Sequence, residues 1–197
     1  MERGVSNVPW YALQVRPRYE ALVAQSLANK GYESFLPLFS SRHRWSDRVV
    51  EVRMPVFPGY LFCRLDFGGR LMPVITTPGF VRVVGFGSWP CPVEDDEIER
   101  VEQIVRSGLD SRPWPVPQAG QRVRLEDGPL AGLEGTLVST RSGHRLVVTV
   151  SLLQRAVAVE VDEECVRAIE ADGAADLAHP NCRSPYVRRG EAVNRLG

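Results

Sequence analysis

Residues 120–169 are dense in valine and leucine and are cut by turn signals at Asp127-Gly128-Pro129, Gly132, Gly135 and Ser142-Gly143. Runs of β-branched residues bounded by such turns read as short strands, here expected at 123–125, 133–139, 145–150, 156–161 and 166–169. The longest uninterrupted run, 146–161, is crowded with valine, which favours strand over helix. Five strands in about fifty residues point to a small barrel, because closure removes the exposed edges that a small open sheet would carry. The glycines have a task in this scheme: the chain must leave one strand, turn sharply and enter the next without a side-chain clash.

The first hundred residues read differently. Residues 10–15, aromatic and branched between Pro9 and Pro17, form a buried strand. A helix follows over 18–30, with Tyr19, Leu22, Val23 and Leu27 on one face and Gly31 as its stop. Further strands are expected at 33–37, 56–65 and 80–86, with Pro58-Gly59 marking a bend, a charged hairpin over 39–54 with Asp47 near its tip, and a short helix at 70–76. Acidic residues crowd the first turn of a helix over 94–107, where they suit the positive end of the macrodipole, and Ile98, Val101 and Val105 line one face. Strands and helices that alternate in this way give an α+β domain, an antiparallel sheet flanked by helices. Pro113, Pro115 and Pro117 around Trp114 read as a stiff linker. The expected division is a tail at 1–8, a first domain at 9–107, a linker at 108–118, an all-β domain at 119–170 and a disordered polar tail at 171–197.

Composition narrows the function. The chain of 197 residues is 44% hydrophobic and carries a formal net charge of +0. A protein that grips nucleic acid over its whole surface carries a positive excess, so contact with nucleic acid should be local or the main partner should be a protein. Lys30 is the single lysine, and every other basic residue is arginine. Cys63, Cys91, Cys165 and Cys182 make no C-x-x-C pair and have no histidine at zinc-finger spacing, so neither metal nor disulfide is expected. With no apolar segment of membrane-spanning length and no apolar leader core, a cytoplasmic protein with reduced thiols is expected. His43, His144 and His179 stand in unrelated contexts, Asp95-Asp96-Glu97 reads as a helix start, and Gly85-Phe86-Gly87 lacks the remaining residues of a phosphate loop. No catalytic constellation and no cofactor site is expected.

Two motifs carry a resemblance. Gly120, the strand around Val123, then Gly128-Pro129-Leu130-Ala131-Gly132 and Gly135 match the KOW motif. Upstream, Trp10 to Val15, then Pro55-Val56-Phe57-Pro58-Gly59-Tyr60-Leu61-Phe62, then Thr77-Pro78-Gly79-Phe80-Val81 resemble the N-terminal (NGN) domain of the NusG family, whose F-P-G-Y signature stands intact at 57–62. The resemblance covers residues 9–169. It implies an NGN domain joined to an SH3-like KOW barrel, in a monomeric transcription elongation or antitermination factor that catalyses nothing. It implies contact with the β′ clamp helices of RNA polymerase through Tyr60 and Phe62, with Tyr11 and Phe57 as neighbours. Arg16 and Arg18 would meet the non-template DNA strand, and Arg42, Arg44 and Arg48 are further candidates for nucleic acid. The contact with the polymerase β gate loop is in question, because the positions near Arg70-Leu71-Met72 lack the His-Thr-Thr element of one branch of the family.

The KOW domain of such proteins binds ribosomal protein NusE or Rho. The contacting loop reads Ser-Ile-Phe-Gly-Arg in the housekeeping factor and Ser151-Leu152-Leu153-Gln154-Arg155 here, making Leu152, Leu153 and Arg155 the candidate partner residues. In the compact basic-acidic hairpin from Arg42 to Met54, and in Gly85-Phe86-Gly87 after the Thr77-Pro78-Gly79 turn, the chain looks more like the specialised paralogues (the RfaH, LoaP and UpxY types) than the housekeeping factor, and the valine-rich run at 146–161 speaks against the helical refolding of the KOW domain found in the first of them. The alternatives are a housekeeping member with a role in Rho-dependent termination and a KOW-type protein that binds ribosomes or RNA.

Overall fold

The computed structural model describes residues 8–45, 48–69, 71–86, 89–109, 111–114, 120–140 and 143–169. Asp47, His179, Cys182 and the tail expected at 171–197 lie outside the described residues. In chain order the first part runs β1 (Trp10–Val15), α1 (Glu20–Asn29), β2 (Ser34–Phe35), β3 (Leu38–Trp45), β4 (Arg48–Pro55), β5 (Tyr60–Arg64), α2 (Met72–Ile75), β6 (Phe80–Val83), β7 (Gly85–Phe86), β8 (Trp89–Pro90), β9 (Pro92–Val93) and α3 (Asp95–Ser107).

β1 is the centre of the first sheet, whose order is β2-β5-β1-β6 with β9 also pairing β1, all antiparallel. Alternation along β1 and β5 sends side chains to two faces, and both are buried. One face holds Leu13, Val15, Leu61, Cys63 and Leu65 against Val23 and Leu27 of α1 and Val74 of α2. The other holds Trp10, Ala12 and Phe62 against Ile98, Val101 and Ile104 of α3. Only part of the apolar face expected on the first helix is used: Val23 and Leu27 are buried, whereas Tyr19 and Leu22 are 40% and 50% exposed. The buried position at the start of α1 is taken instead by Glu20, whose Oε1 accepts the Gly59 N–H at 2.8 Å. That bond and the one from Val15 N–H to the Gly59 carbonyl (2.9 Å) pin the Pro58-Gly59 bend, so β5 starts at Tyr60 rather than at 56. The charged segment forms the expected hairpin, β3 with β4, in register from Leu38↔Pro55 to Trp45↔Arg48.

Cys63 lies fully buried on the α1 face, and burial, then the Glu33 carboxylate, pushes its thiol up from 9.0 to about 12. The folded pKa is therefore raised, so this group favours the fold below pH 9 and loses that contribution as pH rises towards 12. A thiol-specific reagent at pH 8 should leave Cys63 untouched in the native protein and label it in denaturant; rapid native labelling of this residue, read by mass spectrometry, would contradict the burial.

The second part comprises β10 (Ser111–Trp114), β11 (Gln121–Leu125), β12 (Glu134–Thr140), β13 (Gly143–Val150), β14 (Arg155–Val161) and β15 (Val166–Ala168), ordered β10-β14-β13-β12-β11-β15 in one antiparallel sheet. The five expected strands are present. The sixth, β10, corrects the linker reading of 108–118: Ser111 to Trp114 pair with Val159 to Ala156. Proline keeps the backbone extended and lacks only its own N–H, and at the end of the sheet order that missing donor breaks no ladder on the outer side. Residues 115–119 are outside the described set. At the β11–β12 turn, Gly132 adopts φ +86 and its N–H reaches the Leu125 carbonyl at 2.7 Å, a left-handed conformation that a side chain would strain. Across the same pair of strands Arg124 and Arg122 grip Glu134, and the hydrogen bond from Arg124 holds that carboxyl below its usual range.

One apolar cluster runs through both parts. Phe57, Phe62, Ile98, Val101 and Ile104 share it with Leu146, Val148, Val150, Leu153, Val157 and Val159. The α3 helix packs on β13.

Candidate interface between the two domains

Tyr60 and Phe62 share a face of β5, as period-two alternation requires. Phe62 is 0% exposed, with its ring stacked on Phe35 at 6.1 Å between centroids and edge-on to Phe57 at 5.9 Å. Phe57, in the turn before β5, is also fully buried. Tyr60 is half-buried at the border of the same cluster. Tyr11 does not join them. An odd position on β1 sends it to the α1 face, edge-on to Phe67 at 4.7 Å.

The second set of candidates sits on the β13–β14 connection. Ser151–Leu153 make a single 3-10 turn, and Gln154 closes it at φ 49. Leu153 is buried, Leu152 half-buried, and Arg155 exposed with its guanidinium 6.0 Å from the Tyr60 ring. Val56, Phe57, Pro58, Pro113, Leu153 and Arg155 line a cleft of about 610 Å³. Of the residues expected to meet polymerase, Phe57 and Tyr60 therefore face Leu153 and Arg155 of the second set, whereas Phe62 is core and Tyr11 lies on the other face.

A polar contact secures this junction. Glu97 belongs to the first turn of α3, yet it is only 7% exposed because the second sheet lies over it. Its Oε1 accepts the Ser151 N–H at 3.2 Å, while Oε2 is buried with no hydrogen-bond partner. Sequence reading assigned the acidic triplet to helix initiation and missed this bond, since nothing in residues 94–107 reports on residue 151. Arg64 was missed as well. It stacks on Trp10 at 4.6 Å, pairs with Asp95 (3.1 Å) and Glu33 (3.3 Å), and donates to the Val8 carbonyl.

The arginine candidates divide. Arg16 and Arg18 are exposed on the turn between β1 and α1, with the Arg16 N–H bonded to the Gly79 carbonyl at 2.8 Å. Arg42, Arg44 and Arg48 fall on β3 and β4, and their side chains are outside the described set. Among the described residues, no three His, Cys, Asp or Glu side chains gather as metal ligands, and no helix is long and apolar enough to cross a membrane.

Comparison with known proteins decides the family. Residues 8–102 match the model described as NusG, transcription termination factor nusG. The transcription termination/antitermination protein NusG of Thermus thermophilus is 33% identical over 186 residues, spanning 79% of this chain and 96% of the relative. The chain belongs to the NusG family. The NusG of Yersinia pestis, with the same description, is 29% identical over 168 residues, 78% of this chain and 92% of its own. A solved structure described as domain interaction in Thermotoga maritima NusG superposes with a TM-score of 0.50 at 21% identity, covering 85% of this chain and all of the other, which supports the fold. As a NusG-family member the chain is a transcription termination/antitermination factor, in a family of transcription factors rather than enzymes.

Proposed function

We propose that this NusG-family protein is a transcription elongation and antitermination factor that grips the β′ clamp helices of RNA polymerase through its NGN domain. Its second sheet acts as an SH3-like KOW barrel that recruits ribosomal protein NusE or Rho. The observation that carries this reading is the meeting of Phe57 and Tyr60 with Leu153 and Arg155 across one apolar junction. Tyr60 in the first set and Arg155 in the second are residue types enriched at binding hot spots. Each set also covers the other, so partner binding competes with domain contact and the apparent affinity is lowered by the fraction of open molecules. Bound across the polymerase cleft, such a protein favours the elongating over the paused conformation in proportion to its differential affinity for the two.

The two leucines of the 151–155 turn, where the housekeeping factor carries an isoleucine and a phenylalanine, support a specialised paralogue with its own operon targets. The match along 96% of the Thermus relative favours the second reading, a housekeeping member that works with Rho. Transcription through a Rho-dependent terminator separates the two: a housekeeping member promotes termination there and an antiterminator suppresses it.

The direct test is capture of bacterial RNA polymerase. The wild type should capture it, and Tyr60→Ala should weaken capture about tenfold, the loss of one aromatic anchor, while remaining folded. A wild type that captures no polymerase ends the proposal; equal capture by both moves the site away from β5.

A further inference from the structure

β10 belongs to both halves of the molecule. It pairs with Ala156 to Val159 of β14, and its Pro113 and Trp114 line the junction cleft beside Val56, Phe57 and Pro58 of the first domain. It also packs against β3. The chain leaves α3 at Ser107 and enters β10 at Ser111. Those Cα atoms lie at most about 14 Å apart, so a second sheet that keeps β10 stays within that reach of the end of α3. The tether is too short for the pair of helices proposed above to lie on the Phe57–Tyr60 face, since one helix with its side chains is about 10 Å across. Once β10 leaves β14, the connection runs from Ser107 to Gln121 and spans up to about 50 Å.

The attachment of β10 is short and opposed. β14 pairs with β13 at seven positions, Arg155 to Val161, but with β10 at only four. The Trp114 side chain holds the strand down: it packs on Val147, Ala156 and Ala158, each 1% exposed. The Arg145 guanidinium lies 4.9 Å from the centre of the Trp114 ring. Arg145 is 9% exposed, with Glu160 4.0 Å away, and its Nε has no hydrogen-bond partner among the described residues. A buried donor left unmet opposes closure, because water satisfies it once the indole lifts. One ring and a four-residue ladder thus hold β10 against a cost at Arg145. We propose that β10 is the latch of the closed form: the domains separate only when β10 leaves β14 and Trp114 lifts off Arg145. The inference rests on the reading that the junction masks the polymerase face, and it names the element that must move to uncover it.

The test locks the strand. Arg112 and Ala158 are opposite in register, and opposite residues of an antiparallel pair have Cα atoms about 4.5–5.5 Å apart, within the span of a disulfide. The full-length protein carrying Arg112→Cys and Ala158→Cys is compared oxidised and reduced, with each single substitution as a control for pairing with the native thiols. Hydrogen exchange read by NMR follows two amides. The Ser151 N–H bonds to Glu97 across the junction, and the Gly132 N–H bonds to the Leu125 carbonyl within the second sheet. Each amide reports the opening that frees it, so oxidation should slow Ser151 about tenfold or more and leave Gly132 unchanged. Trp114→Ala should speed Ser151 about tenfold, again without change at Gly132. Ser151 exchange that is the same in the oxidised and reduced proteins, or that slows no more than Gly132, overturns the latch. Should the cysteine pair fail to fold or to close, Trp114→Ala decides alone, and unchanged Ser151 exchange overturns the proposal. Polymerase capture keeps the two readings apart. The reduced protein should capture polymerase like the wild type and the oxidised protein about tenfold less well. Equal capture by the two forms overturns the latch; a wild type that captures none overturns the polymerase reading while the exchange results stand.

Discussion

Phe62→Ala should destabilise the protein by about 3–5 kcal/mol, the usual cost of emptying a fully buried aromatic site. The ring is 0% exposed and sits between Phe35 and Phe57, so its removal leaves a cavity that β1, β5 and α3 cannot close without breaking other contacts. Against a total stability of about 5–15 kcal/mol for a typical domain, such a loss brings the fold close to its limit. Tyr60→Ala, two residues away on the same face but at its border, should cost about 1 kcal/mol, an average substitution. Urea unfolding followed by far-UV circular dichroism measures both. A Phe62→Ala midpoint no lower than that of Tyr60→Ala would show that Phe62 is not part of the packed core. The pair also separates stability from binding: lost polymerase capture carries information on the interface for Tyr60→Ala, whereas for Phe62→Ala it reports unfolding.

The contrast shows how far the sequence could be read. Alternation places Tyr60 and Phe62 on one face, but period two cannot say whether that face meets solvent, a partner or a core. The answer depends on α3 and the second sheet, which lie far away in the chain. Tyr11 was grouped with them by motif, yet parity along β1 sends it to the opposite face, which the odd position already implied. The five strands between 121 and 168 were legible because turn glycines and valine runs are local signals. β10 was not, since Pro113 reads as linker unless β14 is known to pair with it. The first helix was visible from its start and stop signals, but which side is buried was decided by tertiary contacts: Glu20 turns inward to hold Gly59, and Leu22 stays out. Glu97, Arg64 and Arg145 act through partners distant in sequence, and no pattern within their own segments announces them.

Leu153→Glu should open the junction between the two domains. Leu153 is buried in the turn that faces Phe57, and Glu97 already brings one carboxylate to that turn, with Oε1 on the Ser151 N–H and Oε2 unpartnered. Arg155, which lines the same cleft, is exposed with its guanidinium over the Tyr60 ring, so a carboxylate buried at position 153 lies beside Glu97 without a buried counter-charge, which costs several kcal/mol. The chain avoids that cost by separating the domains. If the closed form makes up nine-tenths or more of the wild type, release should raise apparent polymerase affinity about tenfold or more. Binding of the KOW partner should fall, because Leu153 is itself a candidate contact. Small-angle scattering should show a larger radius of gyration for the variant at neutral pH. The pH dependence has a definite sign: burial raises the pKa of the introduced carboxyl in the closed form, so closure is favoured at low pH and lost as pH rises through that value. An unchanged scattering profile together with unchanged polymerase affinity would mean that the junction does not mask the binding surface. Opening without a gain in affinity would place the polymerase contact outside the face that the second sheet covers. A gain in affinity that grows with pH, in step with the radius of gyration, ties the masking to this turn and to the burial of charge within it.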